Sequence, residues 1–176
     1  MIKQDVIVSF SGGRTSGYMC ELLLKYYSHL YNLYFIYANT GQEHEETLIF
    51  VNQCDKNFNL NLIWVEAKVD PRKGKGTNYT IVDFKSASRK GEPFEEVIKK
   101  YGLPNGDYPH CTRELKLQPM KAWAKDNNLT NALWALGIRN DELKRKKKHK
   151  NIIYPLIDFE PTDKKNDSVM VETTNI

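Results

Sequence analysis

An α/β fold on a doubly wound, Rossmann-like parallel sheet of about five strands is what this sequence predicts, on three observations. Short β-branched, apolar runs alternate with longer stretches of helical period over residues 5–66. The first of those runs ends directly in a pair of glycines, and no segment repeats another. Strand, helix, strand, helix, strand in this rhythm implies right-handed crossovers between parallel neighbours.

Asp5 to Phe10 (DVIVSF) is the first buried strand. From Thr15 to about His29, Tyr18, Met19, Leu22, Leu23, Tyr26 and Tyr27 recur at helical spacing. Leu33 to Ala38 (LYFIYA) is a second strand, ended by Asn39-Thr40-Gly41. Glu43 to Phe58 places Leu48, Val51, Cys54 and Phe58 on one helical face, and Glu43, Glu45 and Glu46 suit the positive end of its dipole. Asn61 to Glu66 (NLIWVE) is a third strand. Asp70 to Asn78 mixes Pro, Gly and Lys without a period and is expected to be a flexible loop. Pro93 to Tyr101 predicts a short helix, and Leu103 to Pro109 is turn chemistry. Glu114 to Asn127 predicts a helix with Leu117, Met120, Trp123 and Ala124 on one face. Ala132 to Leu136 is a fourth strand and Ile152 to Ile157 a fifth. Residues 1–160 are therefore expected to form one domain, and 161–176 a polar C-terminal tail.

Composition narrows the class. The 176 residues are 40% hydrophobic, enough for a continuous core. A net charge of +4 suits a polyanionic ligand without by itself implying nucleic acid. Three cysteines, Cys20, Cys54 and Cys111, contain no CxxC pair and point to a reducing, cytoplasmic setting. No leader is expected, because the strand pattern starts by residue 5, and no apolar run approaches the roughly 20 residues of a membrane span. Whether the chain is a monomer or a homo-oligomer is open at this point.

The chemistry concentrates at Ser9-Phe10-Ser11-Gly12-Gly13-Arg14-Thr15-Ser16. Two glycines between a strand and a helix let the main chain approach an anion closely. Ser11, Thr15 and Ser16 add hydroxyls, and the helix start supplies free N–H groups and a positive dipole. The alternative is a glycine turn with a hydroxyl cap. No Gly-Lys-Ser/Thr follows at the Walker offset and no GxGxxG is present, which argues against GTPase, kinase and dinucleotide mechanisms.

SFSGGRTSGYM resembles the pyrophosphatase (PP) loop of the adenine nucleotide alpha-hydrolase superfamily. ANTGQEHEETL, the block from Ser86 to Lys116, ALGIRNDELKR and IYPLIDFEPTDK resemble, in order, segments of its phosphoadenosine phosphosulfate (PAPS) reductase-like family. The long middle block is similar to the phage and bacterial branch, so that a phage-encoded chain would work in host cytoplasm.

The resemblance implies that Ser9, Ser11, Gly12, Gly13, Thr15 and Ser16 hold phosphate or sulfate oxygens, with Arg14 either on the same anion or in solvent. It implies nucleotide contacts at Asn39, Thr40, Gly41, Arg89, Gly137 and Arg139. Arg113 and Lys116 become catalytic candidates, since Arg suits bidentate phosphate recognition. Asp141 and Glu142 either orient those cations or bind Mg2+. Lys144 to Lys150 gathers six positive charges in seven residues, which is either a nucleic-acid contact or a solvated loop; no aromatic residue is interleaved within it.

Reduction of a sulfonucleotide needs an attacking thiolate, which the family carries near its C-terminus. No cysteine follows Cys111 here, and three cysteines are too few for a four-ligand iron–sulfur cluster. The expectation is cleavage of the α–β bond of ATP or a related adenine nucleotide, with pyrophosphate leaving. The alternatives are a sulfonucleotide reductase or sulfur-transfer enzyme using Cys111, placed in a turn beside His110, and a non-catalytic nucleotide binder.

Overall fold

The computed structural model describes residues 2–103, 110–146 and 148–159. Its sheet has six strands in the order β4-β3-β2-β1-β5-β6, formed by β1 (Gln4–Ser9), β2 (Tyr31–Asn39), β3 (Ile63–Val69), β4 (Thr77–Val82), β5 (Leu133–Leu136) and β6 (Ile152–Ile153). Every neighbouring pair is parallel except β3 with β4.

β1 lies at the centre because its side chains are apolar in both directions. Val6, Ile7 and Val8 are fully buried, and consecutive strand residues point to opposite faces. Val6, Val8 and Phe10 join Tyr37, Leu48, Val51 and the inner face of α1 (Arg14–Tyr27) beside α2 (Glu45–Phe58). Ile7 joins Ile36, Ala38, Val65, Met120 and Trp123 on the other face, under α5 (Gln118–Asp126). Helices thus cover both faces, which is the doubly wound arrangement. A third cluster of Ala67, Val97 and Leu115 seats α3 (Glu92–Tyr101) at the β3 edge.

Several local expectations change. Thr77 and Asn78 are not loop but the start of β4. The Asp70 carboxylate accepts the Arg72 N–H at 2.9 Å and Gly74 takes φ +79°, so the chain reverses and returns antiparallel along β3. β4 (TNYTIV) is mostly polar on its exposed side, which hides it from a search for apolar runs. The fifth expected strand covers only Ile152–Ile153. Pro155, which has no N–H to donate to a ladder, opens the short helix α6 (Pro155–Asp158) instead.

The helix expected from Glu114 starts at His110. α4 (His110–Thr112) passes into a π-helical turn (Arg113–Leu117) and then into α5. The π turn inserts one residue, which rotates the later side chains by about 100° around the helix axis. Leu117, the last residue of that turn, is 44% exposed and not part of the core that holds Met120, Trp123 and Ala124. Tyr18 of α1 likewise stands outside the core. Most of the expected Leu103–Pro109 turn and the expected C-terminal tail lie outside the described residues. No helix among the described residues is long and apolar enough to cross a membrane.

Leu23 is fully buried under β1 whereas Ile81 is exposed on β4. Urea unfolding should show Leu23→Ala losing about 2–5 kcal/mol, while Ile81→Ala changes stability by roughly 0.5 kcal/mol or less; similar losses at both positions would contradict this packing.

Candidate functional site

β1 pairs with β2 on one side and β5 on the other, so the chain leaving β1 and the chain leaving β5 diverge at their carboxyl ends. Such a switch point opens a crevice. Ser11 to Ser16 forms one wall and Gly137, just after β5, meets it: a Cβ on Gly137 would come within 3.3 Å of Ser16 Cα. Gly12 has φ +82°, and a Cβ there would lie 2.8 Å from Thr47 Cγ2 and 3.3 Å from the Tyr37 ring. Its lack of a side chain lets the loop press onto Tyr37 and α2. Gly13 is exposed and stands at the start of α1, where no side chain caps the helix. The N–H groups of the first turn therefore keep their capacity for an anion.

The hydroxyls of the loop divide the work. Ser16 is 2% exposed and its Oγ donates to Gly13 O at 2.9 Å, accepts the Ser11 N–H at 3.1 Å and pairs with Ser11 Oγ at 2.9 Å. It braces the loop from inside. Ser9 is half-buried and faces the α5 side, 4.0 Å from Met120 Sδ. Ser11 and Arg14 are exposed and Thr15 half-buried, so these side chains reach the crevice surface.

A buried polar cluster shapes the second wall. Asn39, fully buried, donates its amide to Glu66 Oε1 at 2.6 Å and to Ser88 O at 2.9 Å. Ser88 gives the same carboxylate its N–H at 2.6 Å and its hydroxyl at 2.8 Å. Three donors offset the cost of burying that acid. Gly41 completes the tie: its carbonyl accepts the Gly91 N–H at 2.8 Å, and a Cβ there would lie 2.8 Å from Pro93 Cδ. Two segments whose tied residues Asn39 and Ser88 stand 49 positions apart thus become one wall. Tyr37 OH and Asn39 Oδ1 are buried without a partner among the described residues, and such atoms mark a place where water or a ligand group completes the bonding. Burial, then Glu43 and Glu66, push the Tyr37 phenol up, so it stays protonated.

Lys116 and Arg113 arrive on the π-helical turn. Lys116 Nζ stands 3.4 Å from Glu43 Oε1, which also accepts the Thr40 hydroxyl at 3.0 Å, so Lys116 is brought to the loop that ends β2. Arg113 is 58% exposed and donates through Nε to Glu114 Oε1 at 2.7 Å. Glu114 itself is buried and also accepts the Thr77 hydroxyl. Cys111 is not in a turn ahead of the helix. It lies within α4, half-buried against the Ala67, Val97 and Leu115 cluster. Cys20 and Cys54 are buried and desolvation pushes both thiols up, Cys54 also raising Cys20, which keeps them unreactive.

Other candidates are committed elsewhere. Arg89 grips Glu45 at 2.7 and 3.3 Å, donates to the Ala87 and Phe84 carbonyls at 2.8 Å, and lies 5.0 Å above the Phe84 ring. Arg139 forms a bidentate pair with Asp141 at 2.9 and 2.7 Å, and Arg145 holds Glu142 at 2.7 Å. These arginines hold both acids in their charged form, Asp141 and Glu142 lying below the usual carboxylate range chiefly through those hydrogen bonds. Among the described residues no three His, Cys, Asp or Glu side chains converge on a metal position. Asp141 and Glu142, the acids expected to bind Mg2+, each pair with an arginine on the surface instead of converging with a third ligand among the described residues. Within the basic run, Lys146 pairs with Asp158 and lies 5.6 Å from the Tyr154 ring centre, while Lys147 is outside the described residues.

Glu66, Ser88, Tyr37 and Glu114 escape a reading of motifs. The available signal was a lone acid closing an apolar strand (NLIWVE) and another opening an amphipathic helix.

With this geometry in hand, comparison with known proteins identifies the family. The chain belongs to the phosphoadenosine phosphosulfate reductase domain family, whose model matches residues 5–155. It is 34% identical over 163 residues to an uncharacterized nin region protein of Escherichia phage lambda, covering 89% of this chain and 56% of that one. It is 31% identical over 141 residues to an uncharacterized protein of Methanocaldococcus jannaschii, covering 80% of this chain and 24% of the other. The chain therefore spans about half the phage relative and about a quarter of the second.

Gly12→Ala meets both a positive φ and a 2.8 Å approach to Thr47. It should lower stability by about 1–3 kcal/mol in denaturant titration. Gly74→Ala, with a similar φ but open space around it, isolates the backbone strain and should cost less.

Proposed function

We propose that this PAPS reductase-family domain binds an adenine nucleotide with its phosphates on the Ser11–Ser16 loop and cleaves the α–β bond of ATP or a related nucleotide, releasing pyrophosphate. The observation that carries the reading is the uncapped start of α1 at the sheet's switch point, where Gly12 and Gly137 let backbone close in on the same crevice. N–H groups at a helix start, with the exposed Ser11 and half-buried Thr15 hydroxyls beside them, suit a polyphosphate better than a neutral ligand.

In this reading the first-turn N–H groups, Ser11 and Thr15 bind the departing pyrophosphate oxygens, and Arg14 adds a charge from the exposed side. Lys116, held beside the β2 loop by Glu43, and Arg113, held by buried Glu114, supply positive charge from the opposite wall. The oxygen of water, giving hydrolysis, or of an acceptor hydroxyl, giving adenylyl transfer, forms a bond to the α-phosphorus while the α–β bridging bond breaks, its electron pair leaving with pyrophosphate and the attacking group's proton passing to solvent. Fixed donors aimed at that developing charge lower the barrier without reorganising. Magnesium enters as the nucleotide's own counter-ion, with Asp141 and Glu142 paired to Arg139 and Arg145.

A thermal-shift panel of ATP, AMP, APS and PAPS with and without Mg2+ tests binding. A nucleotide at about 100 times its Kd should add about 2.7 kcal/mol to stability. Product analysis with ATP and Mg2+ should then yield AMP and pyrophosphate; ADP and phosphate would sink the reading. Thiol-dependent sulfite release from PAPS, lost in Cys111→Ser, would assign the reductase chemistry instead, and binding without turnover of either would leave a nucleotide binder. Lys116→Ala should reduce kcat/KM for ATP by roughly tenfold or more, since it removes a charge acting on the transition state.

A further inference from the structure

A second concavity lies across the sheet from α1, between α5 and the β5–β6 edge. It has a volume of about 550 Å³, within the range of small-ligand sites. Its floor and sides are apolar, formed by Leu117, Ala124, Leu129, Trp134 and Leu136, and its rim carries Lys121, Lys125 and His149. Trp134 is half-buried, so part of its ring is available to a visitor. Leu117, at the end of the π-helical turn, is 44% exposed and lines the same wall as Ala124.

The basic run borders this cavity. Trp134 N–H donates to Asn151 O at 2.8 Å and Ile152 N–H to His149 O at 3.1 Å, which pins His149 and Asn151 into the wall. Lys148 and Lys150 flank that histidine. The cations nearby fall into two groups. Arg139, Arg145 and Lys146 are neutralised by Asp141, Glu142 and Asp158. Lys121 and Lys125 on the rim, and Lys144, Lys148 and Lys150 of the run, are exposed and have no ion-pair partner among the described residues. The two rim lysines thus keep their charge for a ligand. An apolar slot with an indole on one wall and unspent lysines at its mouth matches a planar base that carries phosphate.

We propose that this cavity binds a nucleotide unit of a single-stranded nucleic acid, the base entering beside Trp134 and the flanking phosphates meeting Lys121, Lys125 and the Lys148–Lys150 end of the basic run. The aromatic partner missing from the run in sequence is supplied by β5. The cavity and the phosphate crevice share a border, since Leu136 precedes Gly137 and pairs in register with Ser9, and Leu117 follows Lys116. A hydroxyl of the bound strand is thus placed as the acceptor: its oxygen bonds the α-phosphorus, the α–β bridging bond breaks with its electron pair leaving on pyrophosphate, and the hydroxyl proton passes to solvent. That acceptor role rests on the function proposed above, whereas the binding itself does not.

The test uses the full chain and a fluorescein-labelled ten-residue oligothymidylate, read by anisotropy, because a pyrimidine probe avoids the adenine-nucleotide crevice. Binding should weaken by at least about tenfold between 50 and 200 mM salt, as phosphate contacts release counterions. Lys121→Glu/Lys125→Glu should weaken it by a further factor of about ten or more while leaving the ATP-induced thermal shift in place. A matched reversal on the opposite face, Lys25→Glu/Lys56→Glu, should have a much smaller effect. Trp134→Phe, which keeps a ring, should retain most binding, and Trp134→Leu should lose it with the ATP shift intact as the check on folding. Displacement of the probe by dTMP supports a site that also takes a free mononucleotide; displacement by unlabelled oligomer alone supports a strand-specific one. No binding at 50 mM salt, or equal losses from the two charge reversals, overturns the proposal. Oligomer binding without any ATP shift would overturn the acceptor role and the nucleotide-cleaving function, and leave the cavity site standing.

Discussion

Strand β1 is enclosed on every side, by β2 and β5 through backbone hydrogen bonds and by α1, α2 and α5 through side chains. That enclosure is the constraint on which the rest of the molecule depends. A strand buried on both faces needs apolar residues in unbroken succession, and Val6, Ile7 and Val8 supply them with no exposure at all. Because its neighbours are parallel and their connections run to opposite sides, the chain end of β1 is the one place where backbone must part. The glycine loop sits there because the sheet leaves room for it, and the rest of the crevice is assembled around it.

What assembles the crevice is a pair of buried carboxylates. An ionised acid taken from water is costly unless donors surround it. Glu66 gathers Asn39 and Ser88, and so draws the segment before α3 onto the loop that ends β2. Glu114 gathers Thr77 of β4 and Arg113, and so ties the antiparallel edge to the π-helical turn. The polar groups needed for folding and the cations facing the crevice are thus mechanically linked: Lys116 stands where it does because Glu43 and the π turn both hold it.

The same π turn has consequences on both sides of the helix. Its last two residues serve different surfaces: Lys116 reaches Glu43 beside the β2 loop, and Leu117 lines the cavity beneath β5 and β6. Mid-helix π geometry is tolerated where surrounding packing over-determines it and is often found at functional positions.

The sequence by itself determined the fold class, the order of the parallel strands' helices and the glycine loop between β1 and α1, because hydrophobic period and glycine placement are local properties of the chain. It also carried the family, through blocks such as SFSGGRTSGYM and ALGIRNDELKR that recur in order. It did not disclose β4, whose alternation is polar and whose pairing depends on a reversal at Asp70 and Gly74. It assigned Ser16 and Arg89 the same ligand role as Ser11, although the folded chain employs the first as an internal brace and the second as a clamp on Glu45. Nor did it show which lysines remain unpaired, or that Trp134 stands beside the basic run. Those decisions belong to the tertiary structure, because a side chain's role is set by partners that meet only when distant segments pack together.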